Sequence, residues 1–144
     1  MSDKKSKGKC LCGNVEFEVS GKLSSIYKCH CSLCRKATGT SSNAASIVDK
    51  DRVTWIKGRN VITEFEQSSG FRSSFCSKCG APVPNIIKAT DKYWIPVGLL
   101  EETGDFKVAA ELFVDSKVGW SQSSNEALKY SEMPDLESLC EVLK

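Results

Sequence analysis

No apolar run in the chain approaches the ~20 residues that a membrane helix needs, so the sequence predicts no spanning segment. Neither sign of charge dominates: 20 Lys and Arg stand against 18 Asp and Glu, a formal charge of +2, and there is no long basic tail. A nucleic-acid footprint is a concentrated basic patch, so nucleic acid is not an expected partner. The stretch Met1-Ser2-Asp3-Lys4-Lys5-Ser6-Lys7 lacks the apolar core of a secretory signal, so the expected location is intracellular: the cytoplasm, with the nucleus also compatible. Linkers, internal repeats and a second domain are missing too. At 144 residues the chain can bury a core, and the reading is a flexible polar tail at residues 1–8 followed by one domain at residues 9–144. Histidine is nearly absent, with His30 alone, whereas cysteine occurs eight times.

Seven of these cysteines fall in three clusters, Cys10-Leu11-Cys12-Gly13, Cys29-His30-Cys31-Ser32-Leu33-Cys34 and Cys76-Ser77-Lys78-Cys79-Gly80, while Cys140 stands apart. In a reducing compartment, thiols at such spacings hold metal more readily than they pair. Cys-x-Cys neighbours also suit ordinary disulfide geometry poorly. A soft tetrahedral cation such as zinc favours thiolates aimed at one point by a short turn. Gly13 and Gly80 each follow the last cysteine of a cluster and permit the positive φ of a metal-binding knuckle. This shared design suggests that Cys10, Cys12, Cys76 and Cys79 face one another across one ion. Cys29, Cys31 and Cys34 are then left as a second site with an open fourth position.

Around the clusters the pattern is mainly β. Val15-Glu16-Phe17-Glu18-Val19 alternates with period two, and strand-like runs follow at 45–48, 52–56, 61–65, 71–75, 83–87, 93–98 and 107–114. Pro82 and Pro84 make the 83–87 run an edge or irregular strand. Residues 32–38 read as a short helical turn closed by Gly39. Leu136, Leu139, Cys140 and Leu143 repeat at helical spacing after Pro134 and Asp135, which predicts a closing helix with Cys140 packed as a small hydrophobe on its apolar face.

The clusters Gly8-Lys9-Cys10-Leu11-Cys12-Gly13, Cys29-His30-Cys31-Ser32-Leu33-Cys34-Arg35-Lys36 and Phe75-Cys76-Ser77-Lys78-Cys79-Gly80 together resemble the glutathione-dependent formaldehyde-activating family, which is also found in centromere protein V. The later Leu112-Phe113-Val114-Asp115-Ser116-Lys117, followed by Trp120, is similar to that family's closing motif. The resemblance covers about residues 8–134. It implies a zinc-binding β-tent of antiparallel sheets with short helices and two zinc ions. Cys10, Cys12, Cys76 and Cys79 would hold the structural ion, and Cys29, Cys31 and Cys34 the catalytic one. The implied activity is that of a carbon–sulfur lyase, an S-(hydroxymethyl)glutathione synthase that joins glutathione to formaldehyde. Where family members often carry a histidine before the closing motif, this chain has Ala110-Glu111.

At such an open site a bound thiol would ionise near neutral pH. Lys28, Arg35 and Lys36 flank the central cluster, where they can offset thiolate charge and attract the carboxylates of glutathione. The small run Thr40–Ala45 leaves room beside the cluster. His30 lies between two ligands, so its ring is expected to point away from the metal. Trp55, Trp94 and Trp120 read as core, with Trp120 a candidate pocket wall, and Lys117 as a surface charge. Two other classes stay open at the level of sequence. One is a non-catalytic zinc module for a protein or chromatin partner. The other is a thiol-responsive protein using the Cys31-x-x-Cys34 spacing.

Overall fold

The computed structural model describes residues 4–23, 25–102, 104, 106–123 and 125–144. It is mainly β, with eleven strands and two short α-helices among the described residues. Two compact units divide the chain: Met1–Leu23 with Ile47–Thr103, and Ser24–Ser46 with Gly104–Lys144.

The first unit opens with β1 (Lys5–Lys9), antiparallel to β2 (Glu16–Ser20) from Lys5↔Ser20 to Lys9↔Glu16. This corrects the expected tail at residues 1–8; of that stretch, residues 1–3 lie outside the described residues. Lysines 5, 7 and 9 face solvent, while Ser6 and Gly8 are buried. The alternation is present, but serine and glycine carry its inner face instead of large apolar residues. Gly8 has to be small there, since a Cβ would sit 2.4 Å from the Phe17 ring.

Further along the chain β3 (Ser25–Cys29) and β4 (Asn43–Asp49) bracket α1 (Ser32–Thr38), and β4 ends within the first unit. β5 (Val53–Lys57) pairs with the other side of β2, giving the order β1-β2-β5. β6 (Ile62–Glu66) and β7 (Arg72–Cys76) form an antiparallel hairpin, and β8 (Asn85–Ile86) pairs with β9 (Lys92–Pro96). The short β8 follows Pro82 and Pro84, which donate no ladder hydrogen bonds. The aromatic series Phe17–Trp55–Tyr93 is edge-packed with 6.2 Å between successive ring centroids, and Trp55 Nε1 donates to the Tyr93 hydroxyl at 3.1 Å. Trp55 is therefore part of the packing, as expected.

In the second unit the strand order is β11-β10-β3-β4, with β10 at Lys107–Leu112 and β11 at Leu128–Lys129. β3 is antiparallel to β4, but β10 runs parallel to both β3 and β11, so the sheets are mixed and not purely antiparallel. Parallel neighbours require long connections, and the pairing of β10 with β3 joins stretches about eighty residues apart. α2 (Leu136–Val142) begins at Asp135, whose carboxylate accepts from Ser138 N at 3.0 Å, a side-chain N-cap. It buries Leu139 and Leu143, while Cys140 is only partly buried.

Candidate metal centres

The first unit brings together Cys10, Cys12, Cys76 and Cys79, with every Sγ within 4.8 Å of the others. Two knuckles of similar design supply them. In one, Gly13 N donates to Cys10 O at 3.0 Å with Gly13 at φ 81°; in the other, Gly80 N donates to Cys76 O at 2.7 Å with Gly80 at φ 79°. Both turns need a left-handed residue just after the second cysteine, and glycine adopts it without a Cβ clash. Cys10 and Cys76 are buried among Val15 and Val83, with Trp55, Val61, Ile62 and Leu99 packed against them.

The sulfur spacings separate metal from disulfide chemistry. Cys10 Sγ lies 3.7 Å from Cys12 Sγ, and Cys12 Sγ 3.8 Å from Cys76 Sγ. A disulfide would bring two sulfurs to ~2.05 Å. Four sulfurs at about 2.3 Å from a zinc lie about 3.8 Å apart along a tetrahedron's edges. The observed values match the tetrahedron. Donors already point at these sulfurs: Val15 N to Cys10 Sγ at 3.3 Å, Asn14 Nδ2 to Cys12 Sγ at 3.2 Å and Lys78 N to Cys76 Sγ at 3.4 Å. Such donors favour thiolates. Cys79 is drawn down to about 6, chiefly by the Ala81 backbone N–H, and Cys12 is lowered by the Asn14 backbone N–H, whereas burial raises Cys76.

The second unit gathers Cys29, Cys31 and Cys34, whose sulfurs likewise lie within 4.8 Å of one another. Cys29 ends β3, Cys31 is the N-cap of α1, and Cys34 lies one turn into the helix. Cys31 Sγ accepts from Cys34 N at 3.2 Å, the capping role usually held by a serine or aspartate oxygen. One sulfur thereby shapes the turn and joins the group. Cys34 donating to Cys29 pulls the Cys29 thiol down to about 6, and the same shared proton pushes Cys34 far up. The chemistry of both groups, convergent thiols with thiolate-favouring donors, fits a soft divalent ion.

His30 is fully buried and belongs to neither thiol group. Its Nε2 lies 2.8 Å from Glu111 Oε1, and Glu111, also fully buried, has its Oε2 3.4 Å from Lys129 Nζ. His30 Nδ1 and Arg35 Nε are buried without a hydrogen-bond partner among the described residues. Arg35 is half-buried and Lys36 exposed, on adjacent positions of α1 that point about 100° apart. The Thr40–Ala45 run divides: Thr40 hydrogen-bonds Thr38 at 2.9 Å and Ser42 O at 2.8 Å in a tight turn, and Asn43, Ala44 and Ala45 enter β4. Trp120 is 71% exposed.

Sequence reasoning missed Glu111. The signal was an acidic residue inside the otherwise apolar Val108–Val114 run, where a buried carboxylate needs a partner, together with a lone histidine in need of one.

No helix among the described residues is long and apolar enough to cross a membrane. Comparison with curated protein sequences gave no significant match. A crystal structure of a Rhodobacter sphaeroides protein, a structural genomics target, superposes with a TM-score of 0.56 at 21% identity, covering 86% of this chain and 98% of that one. That likeness is one of fold. The sequence profile described as glutathione-dependent formaldehyde-activating enzyme matches residues 5–116, which take in all seven clustered cysteines. On that match, the chain belongs to the glutathione-dependent formaldehyde-activating enzyme family.

Proposed function

We propose that this protein is a zinc-dependent enzyme of the carbon–sulfur lyase type that adds a small thiol, glutathione first, to formaldehyde or a related aldehyde. Cys10, Cys12, Cys76 and Cys79 would hold a structural zinc, and Cys29, Cys31 and Cys34 a second zinc with an open position. The observation carrying this reading is the three-sulfur group itself: among the described residues no fourth Cys, His, Asp or Glu joins it. Cys29, Cys31 and Cys34 would hold such an ion and leave it able to take an outside ligand.

When bound, the zinc supplies a Lewis acid that lets a thiol ionise near neutral pH. The chain's own residues would do the rest. Cys29, already drawn down to about 6, enters as a thiolate. Arg35 and Lys36 would attract the two carboxylates of glutathione, and with Lys28 they would offset the thiolate charge. The sulfur lone pair forms the new S–C bond, the carbonyl π pair moves onto oxygen, and the thiol proton ends there as the hydroxyl. Nothing is oxidised or reduced. A reducing cytoplasmic location goes with this reading, supported by seven cysteines clustered at metal-ligand spacings.

Cobalt-substituted protein tests the proposal. Glutathione should intensify the near-ultraviolet thiolate-to-cobalt absorption, and S-methylglutathione should not. If millimolar glutathione leaves the spectrum unchanged, glutathione falls and another thiol or another substrate class takes its place; a fourth protein ligand closing the three-cysteine group would instead put the non-catalytic zinc module first.

A further inference from the structure

Cys29 is the last residue of β3, and Cys31 has extended dihedrals of φ −63° and ψ 154°. In extended chain, residues i and i+2 share a side and i+1 takes the other. Cys29 and Cys31 bring their sulfurs within 4.8 Å of each other, while the His30 ring joins no thiol group and meets Glu111 instead. The tripeptide's rotation about its own axis decides where both sulfurs aim.

That rotation is pinned at two points by consecutive residues of β10. The His30 backbone N donates to Leu112 O at 2.9 Å, and the ring's Nε2 meets Glu111 Oε1 at 2.8 Å. Glu111 is itself braced: Tyr130 N donates to its carbonyl at 2.9 Å, and Lys129 Nζ lies 3.4 Å from its other carboxylate oxygen. His30 and Glu111 are both 0% exposed, so water competes for neither end of their hydrogen bond. Cys29 is held between β10 and β4, and Cys31 by Cys34 N on its sulfur and Arg35 N on its carbonyl; the side-chain bond of His30 fixes the residue between them from the far side.

We propose that Glu111 and His30 are positioning residues for the three-cysteine site, a buried clasp that aims Cys29 and Cys31 before any ion binds. Metal ligands are commonly oriented by hydrogen bonds from behind, and loss of such a partner costs about 10–100-fold in affinity. Here the partner acts through the residue between two ligands. The inference rests on the reading of Cys29, Cys31 and Cys34 as metal ligands.

Cobalt titration of Glu111→Gln and Glu111→Leu, with the four-cysteine group as internal reference, tests it. Glu111→Gln keeps the shape but places an amide against Lys129 or His30; it should weaken cobalt binding at the three-cysteine group at least threefold and shift its visible d–d bands. Glu111→Leu should weaken that binding about 10–100-fold. In both, four-cysteine binding should stay unchanged, an outcome that general destabilisation would not give. A Glu111→Gln protein with wild-type affinity and an unshifted spectrum overturns the clasp, whether or not Glu111→Leu folds. Equal weakening at both groups overturns it too. If wild-type protein takes up cobalt only at the four-cysteine group, the metal reading of the central cysteines falls and the clasp with it.

Discussion

The two cysteine groups use the same ligand atom in opposite ways. The four-cysteine group joins two knuckles far apart in sequence: Cys12 and Cys76, 64 positions apart, come within 3.8 Å. An ion there cross-links the start of the first unit to the end of β7. The three-cysteine group lies within one six-residue stretch, so an ion there closes no long loop. Loop-closure entropy makes a long-range link the greater contribution to stability. This difference supports the proposed division into a structural four-cysteine centre and a three-cysteine centre where ligands exchange. Their surroundings agree: the first packs Cys10 and Cys76 against Val15 and Val83, and the second has behind it a buried polar pair, His30–Glu111.

The sharpest way to break this comparison is to remove one ligand from each group. Zinc binding is worth on the order of 10–16 kcal/mol in small zinc-folded peptides, comparable to the ~5–15 kcal/mol stability of a whole domain. Cys76→Ser should therefore give insoluble or unfolded protein. Cys31→Ser should give folded protein, by circular dichroism, that has lost only one of two metals. Equal melting curves for Cys76→Ser and wild type would overturn the structural assignment.

A smaller effect tests the first group through the backbone beside it. Gly58 has φ 84°, and a Cβ there would fall 1.9 Å from Asn14 O and 2.8 Å from Val15 Cα, in the knuckle that carries Cys12. Gly58→Ala combines backbone strain with overpacking and should cost about 2–5 kcal/mol in urea denaturation. It should also loosen metal at the four-cysteine group and leave the three-cysteine group unaffected. Loosening of both groups alike would show that the two centres are not independent.

The smallest disturbance to the fold comes from pH. Thiolate preference at Cys29 and Cys79 is complete above the ordinary thiol value of 9.0, shrinks as the pH falls, and is lost below about 6. Because metal binding requires thiolates, proton competition at Cys29 and Cys79 should set in as the pH falls toward about 6, and affinity at both groups should drop there. The group with three protein ligands should empty first. Mild chelation at about pH 6 should release one zinc with the far-ultraviolet spectrum unchanged. Simultaneous release of two, followed by metal counting on the recovered protein, would erase the distinction drawn between the groups.

Much of the fold was readable because its signals are local. The alternation in Val15–Val19 marks β2, residues 32–38 form α1 as expected, and Asp135 caps α2 three residues before its partner Ser138. β1 was missed because its buried positions are Ser6 and Gly8, which carry no hydrophobic signal. β3 was missed because Ser25–Cys29 runs directly into the cysteine turn and has no boundary residue between. Thr40–Ala45 read as open space, but half of it is strand paired with β3 through Tyr27↔Ala45 and Cys29↔Asn43.

By itself, the sequence determined the chemistry of the ligands and the local shape that presents them. Thiol spacing, the knuckle glycines and the cap at Cys31 act over a few residues, where covalent geometry limits the choices. Tertiary structure alone decided which distant residues meet. The parallel register of β10 on β3 sets Leu112 opposite Cys29 and so brings Glu111 to His30, 81 positions away. Register shifts by one residue at the Val108–Ala110 irregularity. Such a slip exchanges the faces of a strand, and neither the slip nor its partner strand is encoded in any local pattern.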